Sequence, residues 1–389
     1  MEGVSLLVIG AGPYGLSTAA RAIERGVDTI VLGRPMAFWR DRMPAGMFLR
    51  SGVDWHIDAA GVHTLETYLE GRGIAPASVD PIPIDVVVDY AEWFVRSKRL
   101  GIREQMVARL TKPDGKFVAE LETGEQIAAD HVVAAPGIAC FQNLPAWAEA
   151  LPAEFAAHTC DLVRFDDLSG ARVLIVGGRQ SAYEWAALIA EHGAERVDVV
   201  HRHDVPRFER VSWAFVDEHL DDTLRHRGWW RRLASEQREA ISRRFWEVGR
   251  LTLEHWLAPR LSRGNIHRWP RSEVVEVRPG DRGSAGFARL SNGVSLAVDR
   301  VILASGYRAD LPRVAYLAPV LEGVKIEEGC PVLGEAFDST LAGLYLAGFV
   351  STRDFGPFFG FLRGAPVTAT LIVEDVVRRL DGIARPRTE

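Results

Sequence analysis

Two stretches of the chain share the same order of apolar and polar positions. In each, a short apolar run ends at a glycine and leads into a segment with helical spacing; the runs are Ser5–Ile9 and Val173–Val176. Short apolar runs bounded by glycine predict buried strands, and the segments after them predict helices. A second apolar run follows each helix, at Asp28–Leu32 and at Arg196–Val200. The pattern therefore predicts an α/β fold with two Rossmann-like strand–turn–helix–strand units.

The first turn carries three glycines at the spacing of a nucleotide-binding fingerprint. Gly10 permits a tight turn, Gly12 lets the backbone approach a pyrophosphate, and Gly15 lets the helix pack closely on the strand. Pro13 suits a first helical turn because its missing N–H would have no partner there. Gly33 stands where an acidic residue usually binds the ribose. We expect a dinucleotide here, with its ribose contacted from elsewhere.

The second turn has the same frame with one large side chain in it. Gly177 makes the turn and Ala182 is the small residue at the helix–strand contact, but Arg179 occupies the second glycine position. Its guanidinium either binds a phosphate, which suits its bidentate geometry, or obstructs the site. Arg202 follows the next strand, where a basic residue can hold a 2′-phosphate and so favour NADPH over NADH. The alternative for Arg202 is a solvated surface arginine.

Two such units in one chain are the layout of an enzyme that moves electrons between a nicotinamide and a flavin. On these fingerprints the chain resembles the class B flavin monooxygenases, the two-dinucleotide flavoproteins that include flavin-containing monooxygenases, YUCCA-type enzymes and N-hydroxylases. The other segments that match this family are Phe38–Arg40, Asp130–Gly137, Asp299–Tyr307 and Gly343–Gly348. The resemblance extends over nearly the whole chain.

The resemblance implies FAD at the first turn and NADPH at the second. The residues that it implies for FAD are Gly10, Gly12, Pro13, Tyr14, Gly15, Arg34, Trp39, Arg40, Gly348 and Gly356. Those that it implies for NADPH are Gly177, Gly178, Arg179, Gln180, Ser181 and Arg202. The one catalytic candidate is Arg50, expected as a cation near the isoalloxazine; its alternative is a helix-capping or surface arginine. No metal site is expected.

The resemblance also implies a reaction. NADPH would reduce FAD, the reduced flavin would react with O₂ to give a C4a-(hydro)peroxyflavin, and a small organic substrate would take one oxygen atom. Heteroatom or carbon hydroxylation is favoured over Baeyer–Villiger chemistry, because the family's F-x-G-x-x-x-H motif retains only His158, and Leu162 stands where Baeyer–Villiger enzymes have tryptophan. A histidine at a domain junction is the alternative interpretation of His158.

Two other functions fit the same fingerprints. One is an NAD(P)H-dependent flavoprotein reductase that passes electrons to a quinone or a redox protein. The other is a flavin-binding protein without turnover, which an obstructing Arg179 would favour. The three cysteines, at positions 140, 160 and 330, are far apart. Without a C-x-x-C pair, the dithiol branch of the reductases is excluded.

Composition narrows the class of protein further. The chain of 389 residues is long enough for two or three domains, and its net charge of −6 gives no reason to expect nucleic acid as a partner. No apolar run approaches a membrane span, and the first strand begins too early to leave room for a signal peptide. We therefore expect a cytoplasmic enzyme with a small-molecule substrate, apolar or aromatic, and O₂. Its oligomeric state is open.

The FAD-binding domain is expected to be split. Its parts are 1–164 and 308–389, with the NAD(P)H-binding domain at 165–307 between them, and the tail 384–389 is expected to fray. The stretch 207–263 interrupts the alternation of strands and helices and is typical of an amphipathic helical insertion. It holds five of the chain's 11 tryptophans, Trp213, Trp229, Trp230, Trp246 and Trp256. They either pin the insertion to the core or line an apolar substrate pocket between the domains.

Overall fold

Two sheets, one mixed and one parallel, form the frame of the molecule, and each contains one of the predicted nucleotide-binding units. The computed structural model describes residues 2–280 and 284–384. The tail after Ala384, with its predicted fraying, lies outside these ranges. Within them, no helix has the length and apolar character that crossing a membrane requires.

In each predicted unit an α-helix lies between two strands, as the apolar pattern predicts. The strands are β1 Glu2–Ile9, β2 Thr29–Leu32, β3 Ile102–Arg103, β4 Val107–Thr111, β5 Phe117–Leu121, β6 Gln126–Ala134, β7 Ala156–His158, β8 Arg172–Val176, β9 Arg196–Val200, β10 Arg207–Phe208, β11 Thr252–Leu253, β12 Ile266–Trp269, β13 Val274–Arg278, β14 Gly286–Leu290, β15 Ser295–Val298, β16 Arg300–Leu303, β17 Ile326–Glu327, β18 Cys330–Pro331 and β19 Leu344–Leu346. The α-helices are α1 Pro13–Glu24, α2 Ala37–Asp41, α3 Leu65–Glu70, α4 Ile84–Ser97, α5 Gln180–Glu191, α6 Phe215–Arg225, α7 Trp229–Arg232, α8 Ser235–Arg250, α9 Thr352–Phe355 and α10 Ala365–Ala384.

The first sheet has the strand order β3-β2-β1-β6-β5-β4, and β19 pairs with the end of β6. β1, β2, β3, β6 and β19 are parallel, whereas β4, β5 and β6 pair antiparallel. Leu6, Leu7 and Val8 of β1 are fully buried. A parallel strand covered on both faces is apolar without alternation, which is why this run shows no period of two. α1 packs against both β1 and α10.

The second sheet has the strand order β12-β9-β8-β16-β7, and all of its pairs are parallel. β8 ends at the second glycine turn, and α5 follows it at once. The predicted α/β fold with two Rossmann-like units is therefore confirmed.

Two strands show how the chain passes between the sheets. β7 precedes the predicted domain boundary at residue 164, yet it pairs with β16 of the second sheet. β19 returns to the first sheet beside β6. The division into 1–164, 165–307 and 308–389 stays a prediction.

The helices of the insertion, α6 to α8, pack on the core of the other sheet. Val216, Leu220, Trp230 and Phe245 belong to the same buried cluster as β1 and α10. The indole N–H of Trp230 donates to the carbonyl oxygen of Arg353 at 3.1 Å. The insertion therefore joins the two halves of the molecule, with Trp230 as one of its buried anchors.

Candidate cofactor and substrate site

Each glycine of the first turn has its own steric reason. A Cβ on Gly15 would lie 1.7 Å from the carbonyl oxygen of Gly10, so the helix approaches the strand too closely for any side chain. Gly10 has φ of +111°, and a Cβ there would lie 2.2 Å from the carbonyl oxygen of Ala135. A Cβ on Gly12 would meet nothing within 4 Å. Gly12 thus faces open space, where an incoming phosphate can approach the backbone.

The N-terminus of α1 is free to receive an anion. Gly12 is its N-cap, Pro13 is its first residue, and its first turn has neither a side-chain cap nor an acidic residue. Such a terminus presents unpaired N–H groups and a partial positive charge. These features fit the pyrophosphate of a dinucleotide.

Tyr14 joins the first turn to the C-terminal segment. The single hydrogen of its hydroxyl is shared between the carbonyl oxygens of Phe359 and Phe361, the latter at 2.8 Å. A Cβ on Gly348 would lie 3.5 Å from the Tyr14 ring. Burial raises the pKa of Tyr14 well above its usual value. Gly356 lies further along this segment, where φ is +102°. The structure thus brings Tyr14 and Gly348 together, and the roles of Tyr14, Gly348 and Gly356 toward FAD stay predictions.

The loop after β2 uses its arginines within the protein. Arg34 forms an ion pair with Asp41. Arg40 pairs with Glu92 at 2.5 Å and donates to the carbonyl oxygen of Pro35. Trp39 is half-buried against the core. These contacts fix the loop beside the first turn; the roles of Arg34, Trp39 and Arg40 toward FAD stay predictions.

Gly33, where an acidic residue is usual, lies against the first turn. Its φ is +120°, and a Cβ there would lie 3.3 Å from the backbone nitrogen of Ala11. Its N–H donates to the carbonyl oxygen of Arg103 at 3.0 Å. A strained conformation and a close neighbour both favour glycine at this position.

The second turn has the same backbone arrangement as the first, but side chains fill the space beside it. Gly177 has φ of +141°, and a Cβ there would lie 2.4 Å from the carbonyl oxygen of Ala304. A Cβ on Gly178 would lie 2.3 Å from the ring of His201. Arg179 is the N-cap residue of α5, and its guanidinium carbon lies 5.1 Å from the centroid of the Trp246 ring. The helix terminus has neither a side-chain cap nor an acidic first turn, which suits an anion, and Arg179 stands at its mouth.

His201, the last residue before Arg202, is buried at this site. Its Nε2 accepts from the Tyr183 hydroxyl at 2.8 Å, and its Nδ1 donates to the carbonyl oxygen of His203 at 2.8 Å. Burial, aided by His203, lowers the pKa of His201 to about 4. The ring is therefore neutral, and it supports Gly178. Arg202, beside it, is exposed to solvent.

Arg50 binds the insertion. Its Nη1 donates to the carbonyl oxygen of Gly249 and its Nη2 to that of Thr252 at 2.9 Å, while its Nε lies 3.2 Å from Glu254 Oε1. Gly249 is in the last turn of α8, where carbonyl groups lack helical partners. Arg50 thus caps α8, as its alternative interpretation states, and its catalytic role stays a prediction.

Glu184 is a fully buried carboxyl beneath the second turn. It accepts the backbone N–H of Phe48 at 2.8 Å, and Gln180 of the same helix accepts the N–H of Glu254. Burial raises the pKa of Glu184 to about 7, although Phe48 and Arg260 oppose the shift. The sequence analysis missed Glu184. A single acid within the apolar run of α5 was the available signal.

A cavity of about 80 Å³ lies between the insertion and the C-terminal segment. The residues that line it are Arg50, Ser51, Trp55, Trp213, Val216, Phe245, Gly249, Phe358, Phe361 and Arg363. Arg363 pairs with Asp54 at 2.8 Å and with Asp217. Its guanidinium lies 4.9 Å from the Trp55 ring centroid, and that of Arg50 lies 5.5 Å from the Trp213 centroid. Two cations thus border an aromatic cavity, and each has a carboxylate partner.

The insertion's tryptophans differ in their surroundings, and their use in a substrate pocket stays a prediction. Trp213 lines the cavity, and Trp230 is buried in the core. Trp229 stacks on His219, and Trp256 meets Phe48 edge-on. Trp246 is 40% exposed, beside Arg179.

His158 lies where the two sheets meet. It is buried, its Nε2 donates to the carbonyl oxygen of Gly306, and its Nδ1 lies 3.2 Å from Cys160 Sγ. Burial lowers the pKa of His158 and raises that of Cys160. Both partners belong to the connection between the sheets, which fits the domain-junction interpretation.

Comparison with known proteins supplies the family. Residues 7–215 match the family model described as pyridine nucleotide-disulphide oxidoreductase. An FAD-dependent urate hydroxylase of Xanthomonas campestris pv. campestris is 32% identical over 34% of this chain and 30% of its own length. A ferredoxin–NADP reductase of Salinispora tropica is 30% identical over 56% of this chain and 60% of its own. The chain therefore spans less than two thirds of these two curated relatives.

Two longer similarities extend along nearly the whole chain. The probable indole-3-pyruvate monooxygenase YUCCA9 of Arabidopsis thaliana is 25% identical over 95% of this chain and 88% of its own. The solved structure of an ornithine N-hydroxylase from Kutzneria sp. 744 has a TM-score of 0.80 at 15% identity, covering 97% of this chain and 100% of that one. The resemblance to class B flavin monooxygenases is confirmed.

Proposed function

Because this chain belongs to the pyridine nucleotide-disulphide oxidoreductase family, we propose that it is an FAD- and NADPH-dependent monooxygenase that oxygenates a small organic substrate. FAD at the first turn and NADPH at the second are its cofactors. Heteroatom or carbon hydroxylation is favoured over Baeyer–Villiger chemistry, and the three free cysteines fit a cytoplasmic setting.

One observation carries the proposal. The chain has two uncapped helix N-termini at two fingerprint turns, and an aromatic cavity beside the segment that Tyr14 ties to the first of them. A reductase that passes electrons to a protein needs no such cavity. A monooxygenase does, because its substrate must meet the flavin where water is excluded.

The cavity favours an apolar or aromatic substrate. Indole and phenyl rings supply half of its lining residues, and flat apolar faces bind flat apolar molecules. The guanidinium of Arg50 pairs with Glu254, and that of Arg363 pairs with Asp54 and Asp217. A substrate carboxylate would compete with these partners for the same nitrogens, so charge gives it little advantage.

The bound cofactors supply hydride transfer and oxygen activation; the chain binds, orients and shields them. Gly12 and the N-terminus of α1 would hold the FAD pyrophosphate, and Tyr14 holds the segment 359–361 beside the turn. The N-terminus of α5, with Arg179, would hold the pyrophosphate of NADPH. Trp213 and Phe245 of the insertion exclude water from the cavity.

The test is anaerobic reduction of the FAD-loaded protein by NADPH, then by NADH, followed by mixing with oxygenated buffer. The monooxygenase proposal expects bleaching with NADPH, then a transient near-ultraviolet absorbance before the oxidised flavin returns. A set of uncharged aromatic compounds and matched carboxylates is then tested for faster NADPH use and for an oxygenated product.

A flavoprotein reductase is the second candidate, favoured by the likeness to ferredoxin–NADP reductase. In the same experiment it expects bleaching and then direct return to oxidised flavin, with fast electron transfer to a quinone or to ferredoxin. No bleaching with either nucleotide contradicts both candidates and points to a flavin-binding protein without turnover.

A further inference from the structure

We infer that Trp246 of the insertion competes with the NADP(H) phosphates for Arg179, and so sets the affinity of the second nucleotide site. The inference rests on the proposed function, since it takes the second turn as the NADPH site. Trp246 sets affinity in this view, although it lies outside the fingerprint. Binding of the dinucleotide exchanges an indole ring for a phosphate beside the Arg179 guanidinium.

The contact between Arg179 and Trp246 lies at the turn where the dinucleotide phosphates are expected to bind. Arg179 is the N-cap residue of α5, at the position where a glycine would leave room for the pyrophosphate. Its guanidinium carbon lies 5.1 Å from the Trp246 ring centroid, within the range of a cation–π interaction. Trp246 is 40% exposed, so this ring is a surface cover and not part of the core.

The backbone beneath Arg179 leaves little freedom to move aside. Gly177 lies against the carbonyl of Ala304, and Gly178 lies against His201, which is held by Tyr183 and by the backbone of His203. Any adjustment to an arriving phosphate therefore falls on the Arg179 side chain. An arginine side chain has the length and the rotamer freedom to make it.

The segment that carries Trp246 is held close to the turn. The end of α8 is bound by Arg50 through Gly249, and the N–H of Glu254 donates to Gln180, the residue after Arg179. Trp246 lies one turn before Gly249 on this helix. These contacts hold the indole ring beside Arg179. A phosphate can replace the ring because it accepts charge-assisted hydrogen bonds, which the ring cannot.

The experiment is a binding cycle on the FAD-loaded protein, with NADP⁺ titrated by calorimetry. The proteins are the wild type, Trp246→Ala, Trp246→Leu, Arg179→Gly and the double variant Arg179→Gly/Trp246→Ala. Removal of an exposed cation–π competitor is expected to tighten NADP⁺ binding about two- to fivefold. Leu keeps apolar bulk but has no π-face, so Trp246→Leu is expected to match Trp246→Ala.

The Arg179→Gly variant separates competition from other roles of the ring. It is expected to bind NADP⁺ about tenfold more weakly or worse, because it loses a charged phosphate donor. In that background, Trp246→Ala is expected to change nothing. Unchanged or weaker binding by Trp246→Ala in the wild-type background overturns the inference, as does equal tightening in both backgrounds. Absence of NADP⁺ binding in all five proteins, with FAD retained, overturns the proposed function as well.

Discussion

The two glycine turns share a backbone frame and differ in what stands above it. At the first turn, the position of closest phosphate approach is Gly12, with nothing within 4 Å of a Cβ placed there. At the second, that position is Arg179, beside Trp246 of the insertion. Both helices begin without a side-chain cap or an acid in the first turn, so both suit an anion.

Under the proposed function, one backbone frame would hold a nucleotide in two ways. The first turn depends on the absence of side chains, which suits a cofactor that stays bound. The second depends on an arginine whose neighbours come from a distant part of the chain, which suits a dinucleotide that must enter and leave in each cycle. The insertion, which Arg50 binds through Glu254 and which carries Trp246, is the part that distinguishes them.

The largest effect is expected from a substitution that disrupts the first turn. In Gly15→Ala the new Cβ would lie 1.7 Å from the carbonyl oxygen of Gly10. Backbone must shift to relieve this overlap, so we expect a loss of at least about 3 kcal/mol in the free energy of unfolding. FAD retention after gel filtration should be lost too. The second turn carries Ala182 at the matching position, where helix and strand accommodate a methyl group.

Gly12→Ala is the matched control. Its Cβ meets nothing within 4 Å, so the free energy of unfolding without cofactor should stay close to that of the wild type. FAD should nevertheless bind at least tenfold more weakly, because the methyl group stands where the phosphate approaches. Equal FAD affinity in Gly12→Ala and the wild type would remove the first turn from the FAD site.

The next largest effect is expected when the contact between Arg50 and the insertion is removed. Arg50→Met removes the guanidinium that caps α8 and leaves Glu254, only 7% exposed at its side chain, without its ion partner. Breaking a buried ion pair on one side should lower the free energy of unfolding by about 3 kcal/mol. Urea unfolding of the FAD-loaded protein measures this loss.

The double variant Arg50→Met/Glu254→Gln separates a structural Arg50 from a catalytic one. With both charges gone, more than half of the lost stability should return, since no unpaired buried charge remains. The rate of FAD reduction by NADPH should recover with it. A rate that stays low in a restabilised double variant would assign Arg50 the catalytic role.

The sequence predicts the strands and the glycine turns of both units. It does not predict the side-chain contacts between distant elements. The strands of both units follow from uninterrupted apolar runs, and the glycine positions follow from backbone geometry, which is local. Arg179 is visible in the fingerprint, but its neighbour Trp246 lies in another element, and no local pattern pairs them. Arg50 and Glu254 are farther apart still, 204 residues along the chain. Such pairs form only once packing has brought the elements together.

A smaller, pH-dependent effect is expected from Glu184, the carboxyl buried beneath the second turn. The pKa of Glu184 is raised to about 7 in the fold, so the folded state favours the protonated carboxyl. The stability from this group is complete below its unfolded pKa, near 4.5, and is lost as pH rises through 7. Glu184→Gln has no proton to lose. It should gain about 2 kcal/mol over the wild type between pH 5 and pH 8.

Glu191, on the same helix, is the control for that pH dependence. Its bond to Arg260 lowers its pKa, so its contribution is present above its unfolded pKa and is lost as pH falls. Glu191→Gln should therefore change stability in the opposite direction, costing most at neutral pH. Parallel curves for Glu184→Gln and the wild type would contradict a buried, protonated Glu184.

The smallest expected effect concerns the choice of nucleotide at the second turn. Arg202 is exposed after β9, so its contact with a 2′-phosphate would be solvent-screened and worth on the order of 1 kcal/mol. Arg202→Ala should weaken NADP⁺ binding about fivefold and leave NAD⁺ binding unchanged, as calorimetry can measure. Arg109→Ala removes the same charge from an exposed position on β4 of the first sheet. It should alter the binding of neither NADP⁺ nor NAD⁺. Equal weakening for both nucleotides would place Arg202 on the pyrophosphate, and no weakening would leave it a solvated surface residue.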